Sequence, residues 1–456
     1  MKTIHIEFSN ERLITPSGLV FVGQILGKSN FVKKINRAPI SDDYLQKQIK
    51  NGDILLTYIG MLCQGKTQYE AVHEMMDDPD YYKHALGIAY AIPSAETLRQ
   101  RFDMIGDSLR KDIQQANVAL LREIHREPSA LDNGYVPVDI DVTPFNNSKT
   151  SKEGVSRTYK GFDGYAPIMA YIGTEGYLVN LELRPGKQHC QKETPDFLRE
   201  TIDLCRQLTD KPLLIRLDSG NDASENIGIF MEESYKYNNV SFIIKRNPRK
   251  ESKQDWLDSV KNCCTNVQNP RDGKTVYTGQ TFRDVTYSLP DKTKKTVGIR
   301  TIYEITERTI DKYGQFLLIP DIELNTLWTN LSLPDEAIID LYHAHGESEQ
   351  YHSEIKTDMD VERLPSGKFE SNKLVLELAM VAYNILRLIG QESLKKRDDP
   401  DRKKIRRRRI RTVINNLIQF AGHLTEHAGR LVLAIGKSNR WRFTFKRIYD
   451  NFTIAT

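Results

Sequence analysis

The chain is poor in cysteine, has no long apolar run and carries little net charge, and each shortage removes a class of protein. Its five cysteines (Cys63, Cys190, Cys205, Cys263 and Cys264) are an odd count with no C-x-x-C spacing in 456 residues. That pattern excludes a disulfide framework and leaves reduced structural thiols. The most apolar stretch, Leu374 to Gly390, is interrupted by Glu377, Asn384 and Arg387. It falls short of the roughly 18 uninterrupted apolar residues that mark a bilayer span and reads as a buried helix. The first residues, MKTIHIEFSN, lack the apolar centre of a signal peptide. With 39% hydrophobic and 28% charged residues the chain is not disordered either. A soluble globular protein of the cytoplasm is the expectation.

The near-neutral total hides a concentration of charge. Lys and Arg number 65 against 61 Asp and Glu, for a net +4, yet eleven basic residues and only three aspartates lie between Lys395 and Arg411. A block of like charge such as KKRDDPDRKKIRRRRIR, with Arg406, Arg407, Arg408 and Arg409 at its centre, points to a phosphate backbone as partner, or to a solvated arm.

Pattern changes divide the chain. Residues 1–130 read as a helical N-terminal domain. Pro93-Ser94 followed by Glu96 starts a helix through Leu98, Phe102 and Ile105. Gly18 to Arg37 has one apolar side and a basic end, which suits a small DNA-binding unit or an amphipathic solvated helix. From Tyr135 the period becomes two: Val136, Val138, Ile140 and Val142 alternate with Pro137, Asp139, Asp141 and Thr143, so Asp139 and Asp141 share a strand face. Strand signals at 168–172 and 177–183 flank a glycine turn. A helix at 193–208, a strand at 212–217 ending on Asp218, a helix at 224–237 and a strand at 240–245 follow. The order β-β-β-α-β-α-β over 131–248 matches a ribonuclease H-like α/β core. Residues 249–326 read as a β-rich insertion, 327–394 as the second part of the core, and 395–456 as a basic helical C-terminal region with a helix over 412–435. Ser332-Leu333-Pro334-Asp335 reads as a capping-box-like start of a helix running through Lys356.

On that helix Tyr342, His345, Glu349 and Lys356 fall within an arc of about 60° at about 100° per residue. One face therefore offers a phenol, an imidazole, a carboxylate and an ammonium. A zinc site from His343, His345 and His352 competes for the same helix, but no cysteine lies near and residues two apart diverge around a helix.

The order Tyr342, two residues, His345, three residues, Glu349, six residues, Lys356 resembles the Y-(2)-R-(3)-E-(6)-K signature of the DDE transposases of bacterial insertion sequences, with His345 in place of arginine. VDIDVT at 138–143, GYAPIMAYI at 164–172, LRPGKQH at 183–189, IRLDSG at 215–220, IIKRN at 243–247 and WTNL at 328–331 extend the resemblance, and the chain is most similar to the insertion sequence thirteen-eighty group. The resemblance implies that Asp141, Asp218 and Glu349 are the catalytic and metal-holding acids. Asp139 is then left to hydrogen-bond behind Asp141 or to end in solvent, and Glu347 and Glu354 compete with Glu349. It also implies that Tyr342, His345 and Lys356 hold DNA phosphates, with neutral imidazole lacking the fixed charge and fork of arginine. Strand cleavage followed by attack of a freed 3′-hydroxyl needs two divalent ions about 4 Å apart. Mg²⁺, for which Mn²⁺ can substitute, prefers such oxygen ligands. The implied partners are double-stranded DNA, as terminal inverted repeats and target, and a second copy of the chain in a homodimeric synaptic complex. Excision through a hairpin on the element end, and a tryptophan such as Trp328 near a flipped base, are family features without a motif that secures them here. Another ribonuclease H-like nuclease, such as a junction resolvase, and a degenerate non-catalytic DNA-binding relative are the alternatives.

Overall fold

The computed structural model describes residues 3–38, 48–124, 127–237, 239–263, 266–289, 291–396, 398–401 and 405–454. Cys264 and the basic residues Arg397, Arg402, Lys403 and Lys404 lie outside the described residues. A short strand β1 (Arg12–Ile14) precedes six helices: α1 (Leu19–Lys28), α2 (Phe31–Arg37), α3 (Asn51–Leu62), α4 (Pro79–Leu86), α5 (Ala95–Ile105) and α6 (Arg110–Ile124). Local chemistry sets their starts. Asp78 accepts from the Tyr81 amide ahead of Pro79, and Ser94 accepts from the Thr97 amide.

The middle of the chain builds the sheet. The strands are β2 (Val136–Val142), β3 (Phe145–Asn146), β4 (Ser156–Arg157), β5 (Asp163–Tyr165), β6 (Ile168–Ile172) and β7 (Tyr177–Glu182). Then come α7 (Thr194–Arg206), β8 (Leu213–Leu217), α8 (Ser224–Tyr237) and β9 (Val240–Arg246). β2 pairs antiparallel with β6, β6 antiparallel with β7, β2 parallel with β8, and β8 parallel with β9. The order β7-β6-β2-β8-β9, with only the first three strands meandering, is that of a ribonuclease H-like core. Every residue of β6 and β8 is buried, as expected of strands covered on both sides, and the one charge among them, Arg216, is ion-paired with Asp139. The small sheet β3-β5-β4, inserted between β2 and β6, has no counterpart in the sequence reading.

Residues after β9 form α9 (Lys253–Lys261) and the strands β10 (Asn266–Arg271), β11 (Lys274–Ser288), β12 (Lys294–Ile310) and β13 (Phe316–Thr329). They do not stand apart. β13 pairs antiparallel with β9 from Thr326↔Arg246 to Thr329↔Ile243, so one sheet of nine strands runs from β10 to β7.

The signature segment is not one regular helix. It comprises α10 (Asp335–His343), a 3₁₀ turn at Ala344–Glu347, α11 (Ser348–Ser353) and a π turn at Glu354–Asp358. Pro334 occupies the N-cap and no side chain caps the start, so the expected capping box is absent. The tight and then wide turns rotate side chains away from the ideal arc. The 25-residue α12 (Phe369–Ser393) is long and apolar enough to cross a membrane, but it is almost wholly enclosed by the protein. It packs on β7, α3, α5 and α6, which explains why apolar residues surround its axis.

The C-terminal region corrects the expected helix over 412–435. After α13 (Ile410–Val413) and a π turn at Ile414–Ile418 come two strands, β14 (Gly422–His427) and β15 (Arg430–Ile435), and then α14 (Arg442–Ile454). β1 pairs with β14, and α1 packs on both α14 and α4. The two ends of the chain therefore share a sheet and one continuous hydrophobic core with the α/β centre. Gly18 to Arg37 has its apolar face spent on that core.

Candidate active site

Parallel pairing of β2 with β8 positions two acids. The last paired rung is Ile140↔Leu217, so Asp141 and Asp218 occupy the next positions on strands about 4.8 Å apart. Asp218 ends β8; its Oδ1 accepts from Asn221 Nδ2 at 2.8 Å and from the Gly220 amide at 3.2 Å. Burial raises the pKa of the Asp218 carboxyl above its ordinary value, and the charge of Asp141 raises it further. Asp141 Oδ1 accepts from the Val142 amide at 2.7 Å, while Oδ2 lies 3.4 Å from His352 Nε2.

Asp139, two residues back on the same face, has a structural task. Arg216 on β8 donates to both its oxygens, at 2.6 and 2.8 Å, and His345 Nδ1 lies 2.8 Å from Oδ1. Burial alone would raise its pKa, but Arg216 and His345 outweigh that and hold the carboxyl below its ordinary value. Arg216 also donates to the Leu341 carbonyl at 2.7 Å, which ties the sheet to the signature segment. His345 is buried against Asp139.

The other signature residues diverge. Tyr342 is half-buried near both acids, and its phenol pKa is pushed up by burial and then by the charges of Asp218 and Asp141, which keeps its proton available for donation. Lys356 Nζ donates to the Pro144 carbonyl at 2.8 Å, at the exit of β2, and lies 3.3 Å from Glu362. Glu349 is exposed and borders a cleft of about 600 Å³ with Glu347, Gln350, Arg406, Arg407 and Arg409. Among the described residues no three Asp, Glu, His or Cys side chains are gathered closely enough to hold an ion. The structure thus brings Asp141 and Asp218 together, while Glu349 borders an arginine-lined cleft in which neither aspartate takes part.

The oxygen donors suit a hard divalent cation. Two neighbouring carboxylates, one with its charge disfavoured by the other, gain from a cation between them. The three histidines do not converge on zinc: exposed His343 lies near Glu304, His345 engages Asp139 and His352 faces Asp141. Glu354, a competitor of Glu349, is buried in ion pairs with Arg387 and Arg407.

Among its described residues the basic run is largely spent internally. Arg408 is buried, pairs with Asp399 and donates to Ser393 Oγ at 2.7 Å. Arg407 bonds Glu354 at 2.9 Å and Gln350 at 2.6 Å, and the exposed Arg409 bonds Asp358. Among the described residues, exposed Arg406 forms no hydrogen bond or ion pair. Trp441 is buried beneath Arg408, and Trp328 is buried with its Nε1 donating to Asp222 at 2.8 Å, so neither ring is presented to a base. Near the acids stand Tyr159, which the sequence does not single out, Cys190, expected only as a structural thiol, and His352, expected only as a zinc candidate. Tyr159 donates to the Val142 carbonyl at 3.2 Å, Cys190 Sγ lies 2.8 Å from the Gly220 carbonyl, and His352 contacts Asp141. No spacing rule links them to the strands they meet.

The family model described as Transposase DDE domain group 1 matches residues 1–454. No curated protein matches the chain. Among solved structures, the chain is similar to the piggyBac transposase synaptic complex with hairpin DNA, at 10% identity and a TM-score of 0.42, over 97% of this chain and 85% of that one.

Proposed function

The chain belongs to the transposase DDE domain group 1 family, and from that premise we propose that it is the transposase of a bacterial insertion sequence of the thirteen-eighty group. It binds the terminal inverted repeats of its element, cuts both ends and joins them to target DNA, as a homodimer in the bacterial cytoplasm. The observation that carries this reading is the pair Asp141 and Asp218 at adjoining strand ends, with the Asp218 carboxyl raised by burial and by its neighbour. Such a perturbed, partly buried pair of carboxylates suits metal-assisted phosphoryl chemistry.

In this reading Asp141 and Asp218 would hold the cation, two Mg²⁺ ions with Mn²⁺ as substitute, and Glu349 would supply the third carboxylate. When bound, the metal activates the attacking oxygen and neutralises charge on the leaving one. The chain's own residues do the rest. Tyr342, protonated through the neutral range, donates to a phosphate oxygen beside the acids. Lys356, at the end of β2, places an ammonium near the scissile group. Arg406 grips the backbone at the cleft past Glu349, with Arg409 available if a phosphate displaces it from Asp358.

The test is cleavage of DNA carrying the element's terminal repeat, with and without Mg²⁺, beside binding measured across salt concentrations. End-specific, Mg²⁺-dependent cutting is expected; cutting without end preference would favour a general nuclease, and binding without cutting a degenerate relative. Arg406→Ala is expected to reduce the slope of log affinity against log salt by about 1. Arg408→Ala is expected to lower thermal stability instead.

A further inference from the structure

His352 is buried, yet its Nε2 has no hydrogen-bond partner and sits 3.4 Å from Asp141 Oδ2. Its other ring nitrogen, Nδ1, lies 3.2 Å from the hydroxyl of Tyr171, a residue on β6. Burial pushes the Tyr171 phenol pKa well above its ordinary value, so the hydroxyl keeps its proton. That proton has two acceptors within reach, His352 Nδ1 and, at 3.3 Å, the Met169 sulfur. An imidazole nitrogen is much the better acceptor of the two, a thioether being weak. With Nδ1 accepting, the ring proton of neutral His352 resides on Nε2 and points at Asp141. The opposite tautomer would set an Nε2 lone pair against a carboxylate oxygen in a buried place, with neither satisfied.

We propose that His352 is a positioning residue for the metal site: Tyr171 fixes its tautomer, and its Nε2–H orients Asp141 Oδ2. The Val142 amide already holds Oδ1 at 2.7 Å, so the two donors together fix the plane of the carboxylate while its remaining lone pairs stay free for a cation. The arrangement links β2, β6 and α11 through one side-chain relay, Tyr171 to His352 to Asp141. It rests on the reading of Asp141 as a metal ligand. Donors behind a metal-binding group fix its orientation and basicity, and their loss typically weakens metal affinity about 10- to 100-fold.

The experiment is Mn²⁺ titration of the full chain, with free ion followed by its electron paramagnetic resonance signal, for wild type, Asp141→Asn, His352→Ala, His352→Gln and Tyr171→Phe, each checked for an unchanged melting midpoint. His352→Ala is expected to weaken binding about 10- to 100-fold. His352→Gln, whose amide can accept from Tyr171 and donate to Asp141, restores most of it, and Tyr171→Phe gives a smaller loss in the same direction. Nitrogen-14 modulation of bound Mn²⁺ should be absent in wild type; its presence would make His352 a ligand and overturn the positioning role. Full affinity in His352→Ala beside a weakened Asp141→Asn overturns the inference alone. Full affinity in Asp141→Asn removes the metal-site reading and the inference with it.

Discussion

Asp218→Asn is expected to lower strand cleavage by about 10³-fold or more, the scale seen when one member of a cooperating catalytic set is lost, and at neutral pH to melt at a higher temperature than wild type. Both effects come from one cause. Asp218 is held where burial, and then the charge of Asp141, disfavours its ionised form. A carboxyl whose folded-state pKa is raised contributes stability that is present below its unfolded value, about 4, and is lost as pH rises through the folded value. At neutral pH the wild type has lost that contribution and the amide has not. The amide oxygen can still accept from Asn221 and Gly220, so local geometry survives. A divalent cation should raise the melting midpoint of wild type more than that of the variant, because only the wild type has two charges to relieve. Single-turnover cleavage and melting curves from acid to neutral pH check the prediction. A variant that is less stable at neutral pH would mean that the acid pair is not strained.

Arg387→Ala is expected to destabilise the fold by about 3–5 kcal/mol, the cost of leaving a buried charge without its partner. Arg387 is fully enclosed in α12, where it pairs with Glu354 and donates to the Tyr383 hydroxyl at 2.7 Å and to the Arg408 carbonyl at 2.8 Å. Glu354 in turn receives Arg407 at 2.9 Å. This network fastens the π turn of the signature segment to the central helix and to the C-terminal basic run. Removing Arg387 leaves Glu354 almost wholly buried with one cation in place of two. Replacing both by apolar residues, Arg387→Met with Glu354→Leu, should cost less than the sum of the single changes. Urea unfolding monitored by circular dichroism measures each. A loss under about 1 kcal/mol for Arg387→Ala would show that Arg407 alone compensates Glu354.

The core strands were legible because their residues carry the period of the structure they form. Val136 to Val142 alternates, and the run Leu213 to Leu217 is apolar except for Arg216 and is buried on both faces. The acids at their ends were legible through motif order. What lay beyond was decided by partners distant in sequence. Asp139 and Asp141 share one strand face, and only Arg216 and His345, from β8 and the 3₁₀ turn, separate the ion-paired acid from the one left open. The basic run had the composition of a DNA-binding arm, yet Asp358, Asp399 and Glu354 absorb Arg409, Arg408 and Arg407. Likewise the segment 412–435 does not form the expected helix. The turn at Ala428-Gly429, with φ of 49° and 72°, and pairing to β1 from the far end of the chain make it a hairpin. Strand pairing over more than 400 residues leaves no local trace in a sequence.

The mechanism turns on the identity of the third acid, and Glu349 borders a cleft that neither Asp141 nor Asp218 lines. The direct measurement is cleavage of terminal-repeat DNA in Mg²⁺ by wild type, Glu349→Gln and Glu347→Gln, with binding of the same DNA followed in parallel. The account predicts that Glu349→Gln binds normally and does not cut, while Glu347→Gln cuts like wild type. Cutting by Glu349→Gln at the wild-type rate, or its loss in Glu347→Gln alone, would contradict it.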